Sequence, residues 1–171
     1  MPSKLDQFFT KPEEAQRLYA ITQGIINHLS LNNNNYLEPA AGAGAFYNCM
    51  PIDKRTGIDL EPRLPDIIKH DYLTWEPPKD IRFNIIGNPP FGRRSKLATQ
   101  FINKSVSCAD LIAFILPLGM KRWHCQYQVS WDLDLVYQED LKDDIFELPN
   151  GKKYKLFTCF QIWVNKKVNP Q

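Results

Sequence analysis

Asn84-Ile85-Ile86-Gly87-Asn88-Pro89-Pro90-Phe91-Gly92 reads as a short apolar strand running into a stiff polar turn. The strand extends from Ile81 to Gly87 and is bounded by the glycine and proline expected at the end of a buried strand. Asn88 precedes a proline and Pro89 precedes another, so both are held extended. Neither proline has an N–H, and the turn cannot fold back into a helix. An amide side chain and the Pro89 carbonyl are thereby held a fixed distance apart. Two such acceptors suit a planar amino group with two N–H donors. Phe91 adds a flat face on which a ring can stack, and Gly87 and Gly92 let a ligand approach the backbone closely. The plainer reading is a Pro-rich turn that ends a strand. The candidate catalytic turn, Asn88, Pro89, Pro90 and Phe91, therefore needs support from the rest of the chain.

Outward from this turn, strands alternate with helical or loop segments. Upstream lie strands at Tyr36–Glu38, Thr56–Leu60 and Asp66–Asp71. Downstream, Lys96–Val106 has the spacing of an amphipathic helix, and Leu111–Pro117 is apolar enough for the middle of a parallel sheet. Asp132–Tyr137 and Leu156–Val164 are two further strands, and residues 117–130 follow no clear period. In the last strand Phe157, Cys159, Gln161 and Trp163 alternate with Thr158, Phe160, Ile162 and Val164. Before the first strand, a helix starts at Pro12 with Thr10 as its cap, preceded by an irregular arm. This order predicts an α/β doubly wound, mostly parallel seven-stranded sheet with one antiparallel strand near the C-terminal end. Ligands in such folds sit outside the carboxyl ends of the strands.

That edge gathers four polar features. The loop Pro39-Ala40-Ala41-Gly42-Ala43-Gly44-Ala45-Phe46, read as turning toward a helix, lacks both the dinucleotide spacing and the phosphate-loop lysine. Its small residues leave room for a ligand against backbone, and Glu38 just before it favours a cation over a phosphate. Asp59 ends the second strand, where an acid accepts ribose hydroxyls. Asp71 ends the third, where an acid can accept from an adenine amino group. Each acid alone is more often a solvated strand end or a helix cap. Together beside the loop they describe a ligand with a ribose, an adenine and a positive charge but no phosphate: S-adenosylmethionine.

At these residues the chain resembles the S-adenosylmethionine-dependent amino-group methyltransferases, particularly the adenine-N6 branch with its Asn-Pro-Pro-Phe turn. The matching stretches are Phe8-Phe9-Thr10-Lys11-Pro12, Leu37 to Phe46, Gly57-Ile58-Asp59, Asp71-Tyr72-Leu73 and Asn88-Pro89-Pro90-Phe91. The resemblance covers residues 6 to 164 and implies a Rossmann-like sheet and methyl transfer to the exocyclic N6 amine of adenine. It implies that Phe8, Phe9 and Thr10 close over the methionine end of the cofactor. Glu38, Ala40, Gly42 and Gly44 would line it, Asp59 would hold the ribose, and Asp71 with Tyr72 would frame the adenine. Asn88, beside the cofactor, and the Pro89 carbonyl would hold the target amine, while Phe91 would stack on the target base. A protein-glutamine methyltransferase would use the same clamp on a planar amide, and a methyltransferase-like subunit without activity is a further alternative.

Composition narrows the partners. The chain has 171 residues, 43% hydrophobic, a globular composition. It contains no apolar run of membrane-spanning length, and Met1-Pro2-Ser3-Lys4 does not open a signal peptide. The expectation is a cytoplasmic protein without a membrane association. Cys49, Cys108, Cys125 and Cys159 lack metal-ligand spacing, so reduced thiols and no metal are expected. Net charge is only +2, but basic residues cluster. Arg93 and Arg94 follow the Asn-Pro-Pro-Phe turn, and Lys121 and Arg122 precede Trp123. These four are candidate contacts to a polyanion, so DNA or RNA is the expected substrate. Residues 1–171 read as one catalytic domain with residues 1–12 as a cofactor-closing arm. No separate target-recognition domain is legible, which leaves that task to exposed bases or a partner protein.

Overall fold

The computed structural model describes residues 8–148 and 150–170. Residues 1–7 of the expected arm lie outside them. The described residues form ten strands: β1 (Phe9–Thr10), β2 (Asn35–Glu38), β3 (Arg55–Asp59), β4 (Ile68–Lys69), β5 (Phe83–Gly87), β6 (Ala109–Pro117), β7 (Leu133–Asp140), β8 (Phe146–Glu147), β9 (Lys153–Tyr154) and β10 (Thr158–Asn165). The helices are α1 (Pro12–His28), α2 (Lys96–Ser105) and the short α3 (Trp123–Gln126).

Seven strands form the main sheet in the order β4-β3-β2-β5-β6-β10-β7. Neighbours from β4 to β6 are parallel, whereas β10 runs antiparallel to both β6 and β7. The doubly wound sheet with one antiparallel strand near the C-terminal end is therefore as the sequence pattern requires. Side chains of β6 and β10 divide by period two. Ile112, Phe114, Leu116, Cys159 and Trp163 face the core under α2. Leu111, Ala113, Ile115, Phe160, Ile162 and Val164 face the core under α1. Between Cys159 and Trp163, the buried Gln161 donates to the Met120 carbonyl (3.2 Å) and to Gln138 (2.7 Å), and accepts from the Trp163 indole (3.1 Å). Its polar atoms are thereby satisfied within an apolar layer.

Local expectations fail at four places. Lys11, not Thr10, occupies the N-cap of α1, and no side chain caps the helix. Pro12 at the first helical position has no N–H to satisfy, and Thr10 belongs to β1. The Gly-rich loop leads to no full helix, only a single turn at Tyr47–Cys49. Pro51 forces Met50 extended (φ −80°, ψ 152°), which stops the turn. The third strand is reduced to Ile68–Lys69, an edge strand, while Ile67 packs into a small cluster with Ala41 and Tyr47. A three-stranded sheet, β1-β8-β9, joins the arm to the segment between β7 and β10. With two residues per strand, it offers no period to read.

Candidate active site

A cavity of about 470 Å³ opens at the carboxyl ends of β2, β3 and β5. Its lining includes Phe8, Phe9, Thr10, Glu38, Ala40 and Gly42 from the arm and the Gly-rich loop. Asp59, Asp71, Tyr72, Asn88 and Pro90 complete the group expected from sequence. The doubly wound topology is what brings these separated residues to one edge.

Glu38, the last residue of β2, is 2% exposed. One carboxylate oxygen accepts the Tyr47 backbone N–H. Burial pushes its carboxyl well above the usual carboxylate range, and the nearby Asp59 charge adds to the rise. No cationic side chain pairs with it among the described residues. Gly87, at the end of β5, is the reason Glu38 fits. A Cβ there would lie 3.3 Å from Glu38 Cγ and 3.4 Å from Pro39 Cδ. The strand that carries the Asn-Pro-Pro-Phe turn thus runs directly beside the buried acid.

Asp59 fastens the Gly-rich loop. Its Oδ2 accepts the Gly42 N–H (2.8 Å) and its Oδ1 accepts the Glu61 N–H (2.8 Å). A carboxylate has further lone pairs and can accept more bonds while keeping these two. Gly44, expected to line the ligand, does not line the cavity. It has φ +82°, and a Cβ would fall 2.6 Å from Leu64 Cδ1, so it serves loop packing. Asp71 accepts the Leu73 N–H (3.0 Å) at the start of the Tyr72–Thr74 turn. Tyr72 presents its ring rather than its hydroxyl. The hydroxyl pairs with Ser105 Oγ (2.6 Å), and the ring lies 5.2 Å from Phe101 and 6.3 Å from Trp75, stacked on the latter. Burial pushes the phenol above its ordinary value.

Asn88 meets the arm. Its Nδ2 donates to the Phe8 carbonyl (3.4 Å) and to Thr10 Oγ1 (3.5 Å). A carbonyl can only accept, so the amide nitrogen must face the arm and the oxygen must face away. That oxygen, Oδ1, is buried without a hydrogen-bond partner among the described residues. The arm is pinned in turn by β8, with Phe9 opposite Glu147 and Thr10 opposite Phe146. Arg63, which the sequence reading did not single out, lines the cavity with its guanidinium 4.6 Å from the Phe9 ring centre. Leu97 and Phe101 add apolar wall. The helical period of α2 signals its buried face, but nothing in sequence says which of those residues reach the cavity.

The expected substrate contacts lie outside this cavity. Phe91 is half-buried against the α1-side core, and its carbonyl accepts the Ala98 N–H (3.2 Å). Pro89 does not line the cavity either. Arg93 and Arg94 are exposed in a tight turn where Arg94 and Ser95 adopt left-handed φ of 55° and 62°. Arg122 is exposed, and Lys121 pairs with Asp140 at 2.7 Å. Among the described residues, no group of three or more His, Cys, Asp or Glu could hold a metal ion. No helix among them is long and apolar enough to cross a membrane. All four cysteines are free, two of them buried; burial and the neighbouring Asp140 push the Cys159 thiol up to about 12.

No family profile matches the chain. The chain is 36% identical over 118 residues to a type II methyltransferase, M.CvrRI, of Paramecium bursaria Chlorella virus XZ-6E. The match covers 50% of this chain and 31% of that relative, so the chain spans less than a third of its length. Among solved structures, a candidate RNA methyltransferase, PH1948, from Pyrococcus horikoshii superposes with TM-score 0.70 at 14% identity, covering 95% of this chain and 88% of that one. Magnesium protoporphyrin IX methyltransferase from Synechocystis PCC 6803, with bound S-adenosylmethionine, gives TM-score 0.58 at 9% identity, covering 90% and 80%. The fold is that of methyltransferases.

Proposed function

We propose that this chain is an S-adenosylmethionine-dependent methyltransferase acting on the exocyclic N6 amine of adenine in DNA or RNA. One observation carries the reading. A single cavity holds a buried carboxylate, Glu38, with no ion-pair partner and a buried amide oxygen, Asn88 Oδ1, with no donor among the described residues. Such groups cost free energy unless a ligand completes them. S-adenosylmethionine brings a positive charge, and an adenine amine brings the N–H donors.

The residues present fit this cofactor. Glu38 offers the anion, and Ala40 and Gly42 leave room against the backbone. Asp59 would accept from ribose hydroxyls with its remaining lone pairs. Asp71 and the Tyr72 ring would frame the adenine, and Phe8, Phe9 and Thr10 would close the methionine end. When bound, the cofactor supplies an electrophilic methyl group on a cationic sulfur.

The chain's own task is then alignment and charge stabilisation. An adenine amine is a weak nucleophile because its lone pair is delocalised into the ring. Asn88 Oδ1 would accept one N–H and the Pro89 carbonyl, next in the chain but outside the cavity lining, would accept the other, which favours the pyramidal amine reached in the transition state. The same two acceptors would stabilise the positive charge that develops on nitrogen, and the surplus proton would pass to solvent water after transfer. No strong base is needed beforehand, which suits an Asn in this position. Holding the amine in line with methyl and sulfur supplies the remaining advantage.

The test is incubation with labelled S-adenosylmethionine and a panel of DNA, RNA and protein, followed by chromatography of the digested products. Label in N6-methyladenine supports the reading. Label in glutamine, or in no substrate of the panel, would replace it.

A further inference from the structure

A surface apart from the cavity has its own organisation. After β6 the chain runs from Leu118 to Trp131 before β7 begins. Pro117 lies opposite Thr158 and Leu133 opposite Asn165, the two ends of β10. This connection therefore descends from the carboxyl edge of the sheet to its far edge. Met120, Cys125 and Val129 pack inward against the α2-side core. The outward side is aromatic: Trp123 is 75% exposed, Tyr127 59% and Trp131 72%. Their ring centres are 5.2 Å and 5.9 Å apart in succession, the first pair tilted by 31° and the second edge-on at 83°, which makes a stepped ladder of exposed rings. At its upper end Phe157 is also exposed, and its carbonyl accepts the Leu118 N–H.

Charge and polarity indicate what covers the ladder. Leu118 to Trp131 contains Lys121, Arg122 and His124 and no acidic residue, though Lys121 pairs with Asp140 and Asp132 follows the last ring. Lys166 lies 5.9 Å from the Trp131 ring centre while pairing with Asp134 at 3.9 Å. The Leu118–Lys121 turn that precedes the ladder lies beside the Arg93–Ser95 turn, since a Cβ on Gly119 would lie 3.9 Å from Ser95 Oγ. Of the residues between the rings in sequence, Cys125 and Val129 turn inward, and Gln126, Gln128 and Ser130 are polar. Open π-faces interleaved with cations and amides suit stacked bases and phosphates.

We infer that Trp123, Tyr127 and Trp131 form a stacking platform for single-stranded nucleic acid, which holds the strand to one side of the nucleotide presented to Asn88. This rests on the nucleic-acid reading above and extends it to an exposed strand, longer than the cavity itself can hold. Arg122 and the Arg93-Arg94 pair would follow the phosphates between the clamp and the ladder.

The experiment is fluorescence anisotropy with labelled mixed-sequence single strands, RNA and DNA, of about 4 and about 15 nucleotides. The wild-type chain should bind the long strand more tightly and show quenched tryptophan emission. The Trp123→Ala, Trp131→Ala double variant changes only exposed rings. It should bind the long strand about tenfold or more weakly, the short strand unchanged, and lose the quenching. A double variant that binds the long strand as the wild type does overturns the platform. So does a wild-type chain that methylates nucleic acid with no dependence on strand length. A wild-type chain that neither binds nor methylates any nucleic acid overturns the functional reading along with the platform.

Discussion

Asn88 and Thr10 stand 78 positions apart in the chain, yet the Asn88 Nδ2 lies 3.5 Å from the Thr10 Oγ1. This contact, with the Phe8 carbonyl, turns the amide oxygen away from the arm. Asn88→Ala should therefore reduce turnover about a hundredfold or more with the fold intact. Thr10→Val removes one acceptor that orients the amide, and should lower kcat about three- to tenfold, equivalent to about 0.5–1.5 kcal/mol. Thr10→Ser should restore it. Steady-state kinetics and circular dichroism check both, and wild-type rates in Asn88→Ala would show that the target amine lies elsewhere.

The Glu38 carboxyl supplies a pH-dependent prediction. An unfolded glutamate ionises near about pH 4.3, while burial makes the folded one hold its proton to a higher pH. Between those values the folded state binds more protons, so stability falls as pH rises. Glu38→Gln lacks this slope and should gain stability relative to wild type as pH rises from 5 to 8. It should also bind S-adenosylmethionine about tenfold or more weakly, through the lost charge-assisted interaction. Urea unfolding at several pH values, paired with calorimetry, separates the two effects. A stability difference independent of pH would refute the shifted carboxyl.

Asp59→Ala should weaken cofactor binding by about 1.5–3 kcal/mol through the lost ribose acceptor. It also frees the Gly42 and Glu61 N–H groups that Asp59 now holds. Hydrogen exchange at Gly42 should accordingly rise even without cofactor. Unchanged affinity by calorimetry would remove Asp59 from the site.

Gly92→Ala should disturb the turn that follows the clamp. Gly92 has φ +68°, and a Cβ would fall 2.5 Å from Leu97 Cβ and 3.0 Å from the Leu97 backbone nitrogen. The backbone strain alone is worth about 1–3 kcal/mol. Chemical denaturation should show a loss at least that large, accompanied by reduced turnover. A neutral result would mean that the turn relaxes freely.

The alternation in β10 and the Pro-Pro turn after β5 were legible because both are local rules, period two and a missing N–H. Glu38, Asp59 and Asn88 were legible because the topology fixes which strand ends share an edge. Arg63 was not, since its role depends on an aromatic ring from the arm across the cavity. Gly44 packs against Leu64 rather than lining the cavity, and a glycine needed for ligand approach and one needed for loop packing look alike in sequence. Phe91 follows the clamp in the chain, but it packs partly buried against the α1-side core. Sequence adjacency does not reveal which way a ring turns.

The pairing of Phe9–Thr10 with Phe146–Glu147 has a consequence for how the molecule is made. Strands β2 to β7 lie between the arm and its partner in the chain, so the arm waits for that partner through the synthesis of most of the sheet. Contacts of such sequence separation form late and slowly. The roof over the cavity, and with it the orientation of Asn88, is completed only after β6 and β7 have been synthesised. A truncated or stalled chain would thus carry most of the cavity floor but an amide free to rotate, so that competence is tied to an intact polypeptide.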